Sequence, residues 1–208
     1  MTKSQFITVE GTEGVGKSTS IAFIESWLTE RGIEFISTRE PGGTELGESL
    51  RQLLLHGGDV SDKAELLMMF ASRAQHLQEK ILPALAEGKW VVCDRFTDST
   101  FAYQGGGRQL PLPWIEQLEQ LVHGERQPDL TLLLDAPVEI GMSRAAKRSA
   151  ADRIEAESLA FFNRVRDQFL ERAAKFPRYA VIDATQALES VQQSIEQRLA
   201  SLLAETQS

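Results

Sequence analysis

The sequence is poor in cysteine. Cys93 alone is present, inside the apolar run WVVC, so an internal disulfide framework is excluded. A lone thiol in an apolar run fits a reducing compartment, the cytoplasm, and a packing role rather than a reactive one. No apolar run approaches the length that crosses a bilayer. The opening residues, MTKSQFITVEG, lack an apolar signal segment and pass straight into a strand-like pattern, so no signal peptide is expected. Positive charge is also short. There are 22 Lys and Arg against 30 Asp and Glu, a net charge of -8, which argues against a nucleic-acid binder and its basic face. It does not argue against binding small anions, because local basic clusters do that inside acidic proteins. Internal repeats and low-complexity linkers are missing too. The 208 residues, 42% of them apolar, suit one domain with a sizeable core.

Five short apolar runs read as strands: Phe6 to Glu10, Glu34 to Thr38, Trp90 to Asp94, Leu130 to Asp135 and Tyr179 to Asp183. Several, such as LTLLLD, are almost continuously apolar, the pattern of parallel strands covered on both faces. Helical periods lie between them, at Ser18 to Arg31, Asp62 to Ala86, Pro113 to Val122, Val138 to Lys147, Glu155 to Phe176 and Leu188 to Ala204. In the second of these, Leu66, Leu67, Phe70, Ala74, Leu77 and Ile81 fall on or near one stripe. The alternation predicts an α/β three-layer sandwich around a five-stranded parallel sheet. SRAAKRSAADR, residues 143 to 153, combines small residues and bases with no large apolar side chain. It is the candidate for a mobile lid, over roughly 143–154.

One stretch carries the first chemistry. GTEGVGKST, residues 11 to 19, contains G-x-x-x-x-G-K-[ST] between a predicted strand and a predicted helix. Gly11, Thr12, Glu13, Gly14, Val15, Gly16, Lys17, Ser18 and Thr19 would wrap backbone N–H groups around the phosphates of a nucleoside triphosphate such as ATP. Lys17 would reach the β/γ-phosphates and Ser18 would offer an oxygen to Mg²⁺. Glu13 in the middle of an anion-binding loop needs a reason. A guanine-reading Asn-Lys-x-Asp stretch is missing, which argues against a GTP switch, and the chain is short for a motor. A small kinase needs an acceptor site, and in a doubly wound sheet that site lies at the carboxyl ends of the strands. TREPGGT (residues 38 to 44) and DRFTDSTFAYQGGGR (residues 94 to 108) follow predicted strand ends, as does Asp135 of DAPVE. Arg39 and Arg95 there suit an acceptor phosphate. The bland alternative pairs Arg39 with Glu40 and Arg95 with Asp94.

TREPGGT, DR followed by AYQGGGR, PDLTLLLD, and DRIE followed by FFNR occur in that order over essentially the whole chain. In this the sequence resembles bacterial thymidylate kinases, P-loop enzymes that make dTDP from dTMP and ATP with Mg²⁺ and are homodimers. The resemblance implies a role for Glu13: its carboxylate would face the acceptor and take a hydrogen bond from the deoxyribose 3′-OH. Positions 12 to 15 carry no base, so the chain resembles the type whose arginines stand in the lid, where Arg144, Lys147, Arg148 and Arg153 occur. Arg148 is the first choice for closing onto the phosphates, and Arg144 the second, or else it lies near the adenine beside IDAT, residues 182 to 185. On the acceptor side the resemblance assigns Arg73 to the pyrimidine. Its aromatic partner is expected four residues earlier, where Met69 stands; either Met69 contacts the base or Phe70 swings in. Thr100 and Gln104 would contact the thymine edge, Tyr103 would crowd out a ribose hydroxyl, and Arg51 would assist the acceptor phosphate. Pro41 is a position where a cis bond is expected, Asp94 would hold the metal through water, and Asp152 and Glu155 resemble a lid-edge acidic pair that would bind the metal or tether the lid. The rival readings are a kinase of another small acceptor and a P-loop switch or ATPase.

Overall fold

The computed structural model of the chain describes residues 3–145 and 153–206. Lys147, Arg148 and Asp152, named above for the lid, lie outside the described residues. Five strands form one parallel sheet: β1 (Phe6–Glu10), β2 (Phe35–Arg39), β3 (Trp90–Asp94), β4 (Leu130–Asp135) and β5 (Tyr179–Asp183), in the order β2-β3-β1-β4-β5. The strands match expectation, with β2 shifted by one residue to include Arg39. The order reverses at β1, so the chain crosses to opposite sides there and opens a crevice at the carboxyl ends of β1 and β3.

Both faces of the central strands are covered, which is why they read as unbroken apolar runs. Ile7, Val9, Val92, Leu132 and Leu134 face one core, with Ile24, Trp27, Ile195 and Leu199. That layer comprises α1 (Lys17–Glu30) and, at the far end of the chain, the last helix, Leu188–Glu205. The alternate residues Phe6, Val91 and Cys93 face the other core with Phe96, Leu77 and Ile81. The two polar residues caught in the middle satisfy each other: Thr8 and Thr131 share a hydrogen bond of 3.0 Å between hydroxyls.

Two helices follow β2. α2 (Glu45–His56) starts where the Thr44 side chain accepts from Gly47 N–H, and α3 (Asp62–His76) where Ser61 accepts from Ala64 N–H. The long helix expected over Asp62 to Ala86 is one continuous rod with a defect. α3 passes into a π-helical turn at Leu77–Ile81 and then into α4 (Leu82–Ala86). Pro83 has no N–H to give the preceding turn, and the wide turn sits just before it. The expected stripe divides: Leu66, Phe70, Leu77 and Ile81 are core, whereas Leu67 and Ala74 are exposed.

The stretch after β3 is helical, although no helix was read there from the sequence. A single turn, α5 (Thr97–Thr100), runs into π-helical Phe101–Gly107, followed by α6 (Leu112–Val122). The glycines are there for contact. A side chain at Gly107 would meet the Phe161 ring at 2.4 Å, and one at Gly106 would meet the Arg164 carbonyl oxygen at 2.7 Å. The partner helix is α8 (Leu159–Lys175), reached after α7 (Val138–Ala145), and Arg164 donates to the carbonyls of Gly106 and Gly107. α8 starts later than the expected Glu155, because Ser158 caps Phe161 N–H. The last helix is α9.

Candidate active site

The loop between β1 and α1 turns on three glycines with positive φ, Gly11 (138°), Gly14 (72°) and Gly16 (95°). Gly14 has a second constraint. A Cβ there would lie 1.9 Å from the Gly141 carbonyl oxygen, so the loop rests directly on α7. Val15 is buried in the core, which leaves its backbone to shape the loop, and Thr12 is buried as well. Lys17 is half-buried at the start of α1 and donates to the carbonyls of Gly11 (3.2 Å) and Thr12 (2.9 Å). Burial, with the nearby Arg95 charge, pushes its ammonium down to about 8. Ser18 and Thr19 are exposed on the first turn of α1.

The Glu13 carboxylate meets side chains from beyond β3 rather than its own loop. Its carboxylate accepts from Arg95 Nη2 at 2.8 Å and from the Tyr103 hydroxyl at 2.6 Å. Burial would raise its pKa, but the Arg95 and Lys17 charges and these hydrogen bonds outweigh it and hold the carboxyl below its usual range. Arg95 stands immediately after β3 with φ 68°, a left-handed conformation that costs a non-glycine residue energy. A buried residue absent from the sequence expectations sustains it: Glu10, at the end of β1, accepts from Phe96 N–H (2.7 Å) and the Ser99 hydroxyl (2.6 Å). Ser99 Oγ in turn accepts from Arg95 Nη1 at 3.1 Å. Burial, reinforced by Asp98, pushes the Glu10 carboxyl up to about 8.

Glu13, Arg95 and Tyr103 form one wall of a cleft with about 610 Å³ of empty space. Arg51, Met69, Arg73, Thr100 and Gln104 line the rest, with Pro41 and Phe96. The structure therefore brings together nearly every residue expected on the acceptor side. At the α3 position Met69 lines the cleft, whereas Phe70 is core, its ring 4.8 Å from the Arg73 guanidinium. Beside Tyr103 a second aromatic lines the cleft, Phe96, unnoticed in the sequence because it follows a strand rather than lying on α3. Arg73 is 1% exposed; it donates to Glu40 (2.7 Å) and Thr100 Oγ1 (3.0 Å), and its Nη1 is buried without a partner. Glu40 is shared with fully buried His76, 3.0 Å away, and the Glu40–Pro41 bond is cis. Arg51 donates to the Pro41 carbonyl at 2.9 Å.

Several side chains stand elsewhere than the sequence suggested. Arg39 does not converge with Arg95. Its guanidinium is half exposed, held by both oxygens of Glu48 (2.9 and 3.1 Å), and lines a second depression with Ser18 and Asp94. The Gly42–Gly43 turn folds Glu48 back to this position, and Gly43 N–H fixes its carboxylate at 2.9 Å. Neither bland pairing occurs, since Arg39 pairs with Glu48 and Arg95 with Glu13. Arg153 is not a free lid arginine: it donates to the Leu54 carbonyl (2.8 Å) and to Glu65, anchoring the lid edge to α2 and α3. Glu155 lines neither the cleft nor the depression of Ser18 and Asp94. Asp135 is held by Arg166 at 2.7 and 2.8 Å, a structural fork. Arg144, by contrast, reaches the segment that follows β5, donating to the Ala184 carbonyl at 3.0 Å.

The fit to a hard cation can be judged from the donors. Asp94 Oδ1 is buried without a partner and shares its depression with the exposed Ser18 hydroxyl. Among the described residues no three His, Cys, Asp or Glu gather to coordinate a metal. That suits Mg²⁺, which keeps waters and takes most other ligands from substrate phosphates.

The likeness to known proteins agrees with this geometry. A model of the thymidylate kinase family matches residues 9–195. A thymidylate kinase from Chromohalobacter salexigens is 57% identical over 98% of this chain and 99% of its own. One from Neisseria gonorrhoeae is 54% identical over 95% and 97% respectively. The crystal structure of thymidylate kinase from Ehrlichia chaffeensis superposes with a TM-score of 0.79 at 36% identity, covering 95% of this chain and 98% of that one.

Proposed function

This chain belongs to the thymidylate kinase family, and we propose that it transfers the γ-phosphoryl group of ATP to dTMP, giving dTDP for dTTP synthesis. The observation that carries the reading is the direction of Glu13. A carboxylate inside a phosphate-binding loop is turned out of that loop into a separate cleft, where it aligns Arg95 and Tyr103. The loop thus serves two substrates, a triphosphate on one side and a hydroxylated, anionic acceptor on the other.

In this reading an oxygen of the dTMP phosphate attacks the γ-phosphorus in line, and the bond from that phosphorus to the β–γ bridging oxygen breaks. The acceptor is already an anion, so no general base is required. Positioning and charge neutralisation do the work. Lys17 leaves its own loop carbonyls for the β/γ-phosphates, Arg95 grips the acceptor phosphate with Arg51 beside it, and Arg148 closes from the lid. Arg144, tied to Ala184, borders the adenine. Mg²⁺, held by Ser18 and, through water, by Asp94, would neutralise phosphate charge. Buried and unpartnered, Arg73 Nη1 is a donor waiting for a carbonyl, and Met69 and Phe96 supply apolar surface for a pyrimidine ring. Tyr103, fixed by Glu13, stands where a ribose 2′-hydroxyl would have to fit.

A homodimer, which the family resemblance implies, finds suitable surface in Leu53 on α2 and Leu67 on α3, 55% and 56% exposed. No helix among the described residues is long and apolar enough to cross a membrane. The lone thiol and the acidic charge support a cytoplasmic enzyme without a nucleic-acid partner. The deciding experiment is coupled ADP release with Mg-ATP and dTMP, dUMP, ribothymidine monophosphate, dCMP, UMP, AMP or no acceptor. Fastest turnover with dTMP is expected, with the ribo analogue poor. Equal ADP release without acceptor would replace the kinase reading with an ATPase.

A further inference from the structure

Glu65 has no place in the mechanism above, yet it is among the least exposed carboxylates in the chain, at 1%. It stands in the first turn of α3. Arg108 donates to it from Nε and Nη2, both at 3.3 Å, and Arg153 donates from the lid edge. Its remaining partner is Gln104, whose Nε2 donates at 2.8 Å. Burial would raise the carboxyl pKa, but the hydrogen bonds from Gln104, Arg108 and Arg153 outweigh it and hold the group below its ordinary range.

The chemistry of that contact dictates how Gln104 presents itself. An ionised carboxylate accepts hydrogen bonds and donates none. The end of the Gln104 amide that meets it must therefore be the NH₂. The carbonyl oxygen is the end left for the cleft, which Gln104 lines while being 1% exposed. That oxygen accepts no hydrogen bond from a described residue. On the same cleft wall stands Arg73 Nη1, buried and unpartnered. Thr100, one helical turn before Gln104, holds the other arm of Arg73. The wall thus offers a fixed donor and a fixed acceptor. The thymine edge has the complementary pair, the O4 acceptor beside the N3–H donor. Cytosine reverses both, with an amino group at C4 and a bare N3.

We propose that Glu65 is a specificity-determining positioning residue: its buried carboxylate locks the Gln104 amide with the carbonyl oxygen facing the cleft, so that the site accepts a pyrimidine with N3–H and rejects cytosine. The proposal rests on the dTMP reading of the cleft. Arg73 alone does not provide this lock, because without Glu65 the Gln104 amide would turn its NH₂ to meet a bare N3. A wall with both ends fixed discriminates strongly, since the wrong base leaves buried polar groups unpaired.

The test is Glu65→Gln in the full chain, assayed with dTMP and with dCMP. A neutral amide at position 65 can either donate or accept, so Gln104 is free to turn. The ratio of kcat/KM for dCMP over dTMP is expected to rise roughly ten- to a hundredfold, chiefly through KM. Arg153→Met removes another arm of the same network without touching Gln104, and should leave the ratio unchanged. An unchanged ratio in Glu65→Gln, or an equal change in Arg153→Met, would overturn the proposal. Should Glu65→Gln fail to fold, the native chain answers the question by NMR, with the Gln104 side-chain amide assigned by its loss in Gln104→Met. Slow-exchanging amide protons whose protection survives saturation with dTMP are expected. Protection lost on binding means that the nitrogen turns to the base, and refutes the lock. Failure of the native chain to phosphorylate dTMP would instead remove the underlying reading.

Discussion

The position of Glu13 makes a sharp prediction. Both oxygens of its carboxylate are engaged, one by the Arg95 guanidinium at 2.8 Å and one by the Tyr103 hydroxyl at 2.6 Å. Glu13→Gln preserves shape but removes the charge and turns one acceptor into a donor. One charge-assisted hydrogen bond is lost outright, worth about 1.5–3 kcal/mol. If it aligns the groups that hold the acceptor, kcat/KM for dTMP should fall roughly ten- to a hundredfold. The KM for ATP should stay within about twofold, because the Glu13 carboxylate meets side chains from beyond β3 rather than its own loop. The sharper assay pairs dTMP with its 3′-deoxy analogue. A carboxylate that takes a hydrogen bond from the 3′-OH is coupled to it, so the Glu13→Gln penalty must shrink on the analogue, as in a double-mutant cycle. An equal penalty on both acceptors would detach Glu13 from the 3′-hydroxyl. A loss confined to the KM for ATP would refute the two-sided loop altogether.

Three other perturbations test separate parts of the site. Arg148→Ala should cut turnover at least a hundredfold while changing dTMP affinity little, as single-turnover kinetics and binding would show; unchanged turnover would remove it from the lid's catalytic role. The Lys17 ammonium, pushed down to about 8, is lost as pH rises through that value in the free enzyme. A plot of kcat/KM for ATP should therefore be level below pH 8 and fall about tenfold per pH unit above it, and a level profile to pH 10 would contradict this. Glu10, pushed up to about 8 from an ordinary 4.5, takes up a proton on folding. Its contribution to stability is full below about pH 4.5 and is lost as pH rises to about 8. Denaturant unfolding at several pH values should show that decline in the native chain and a flatter dependence in Glu10→Gln; identical slopes would refute it.

What the sequence disclosed, and what it withheld, divides along one physical line. The strands were legible because parallel strands covered on both faces must be apolar at nearly every position, and LTLLLD and WVVCD are. The P-loop was legible because its requirements are local: glycines for positive φ, then lysine and serine at the helix start. The helix through YQGGG was not, since glycine is a poor helix former and the reason for it lies 54 residues away, in the Phe161 ring that packs on Gly107. Arg39 and Arg95 look alike in sequence, each at a strand end beside an acid. Only folding shows that one is held by Glu48 over the depression beside Ser18 and the other by Glu13 over the cleft. Glu65 is the limiting case. In sequence it is an ordinary acid in the first turn of a helix. It becomes a buried, three-partner acceptor because Arg108 and Arg153 arrive from 43 and 88 residues further along the chain. Residues that must touch a substrate phosphate announce themselves by type and spacing. A residue that acts by holding one of them does not, because its neighbours exist only once the chain has closed around it.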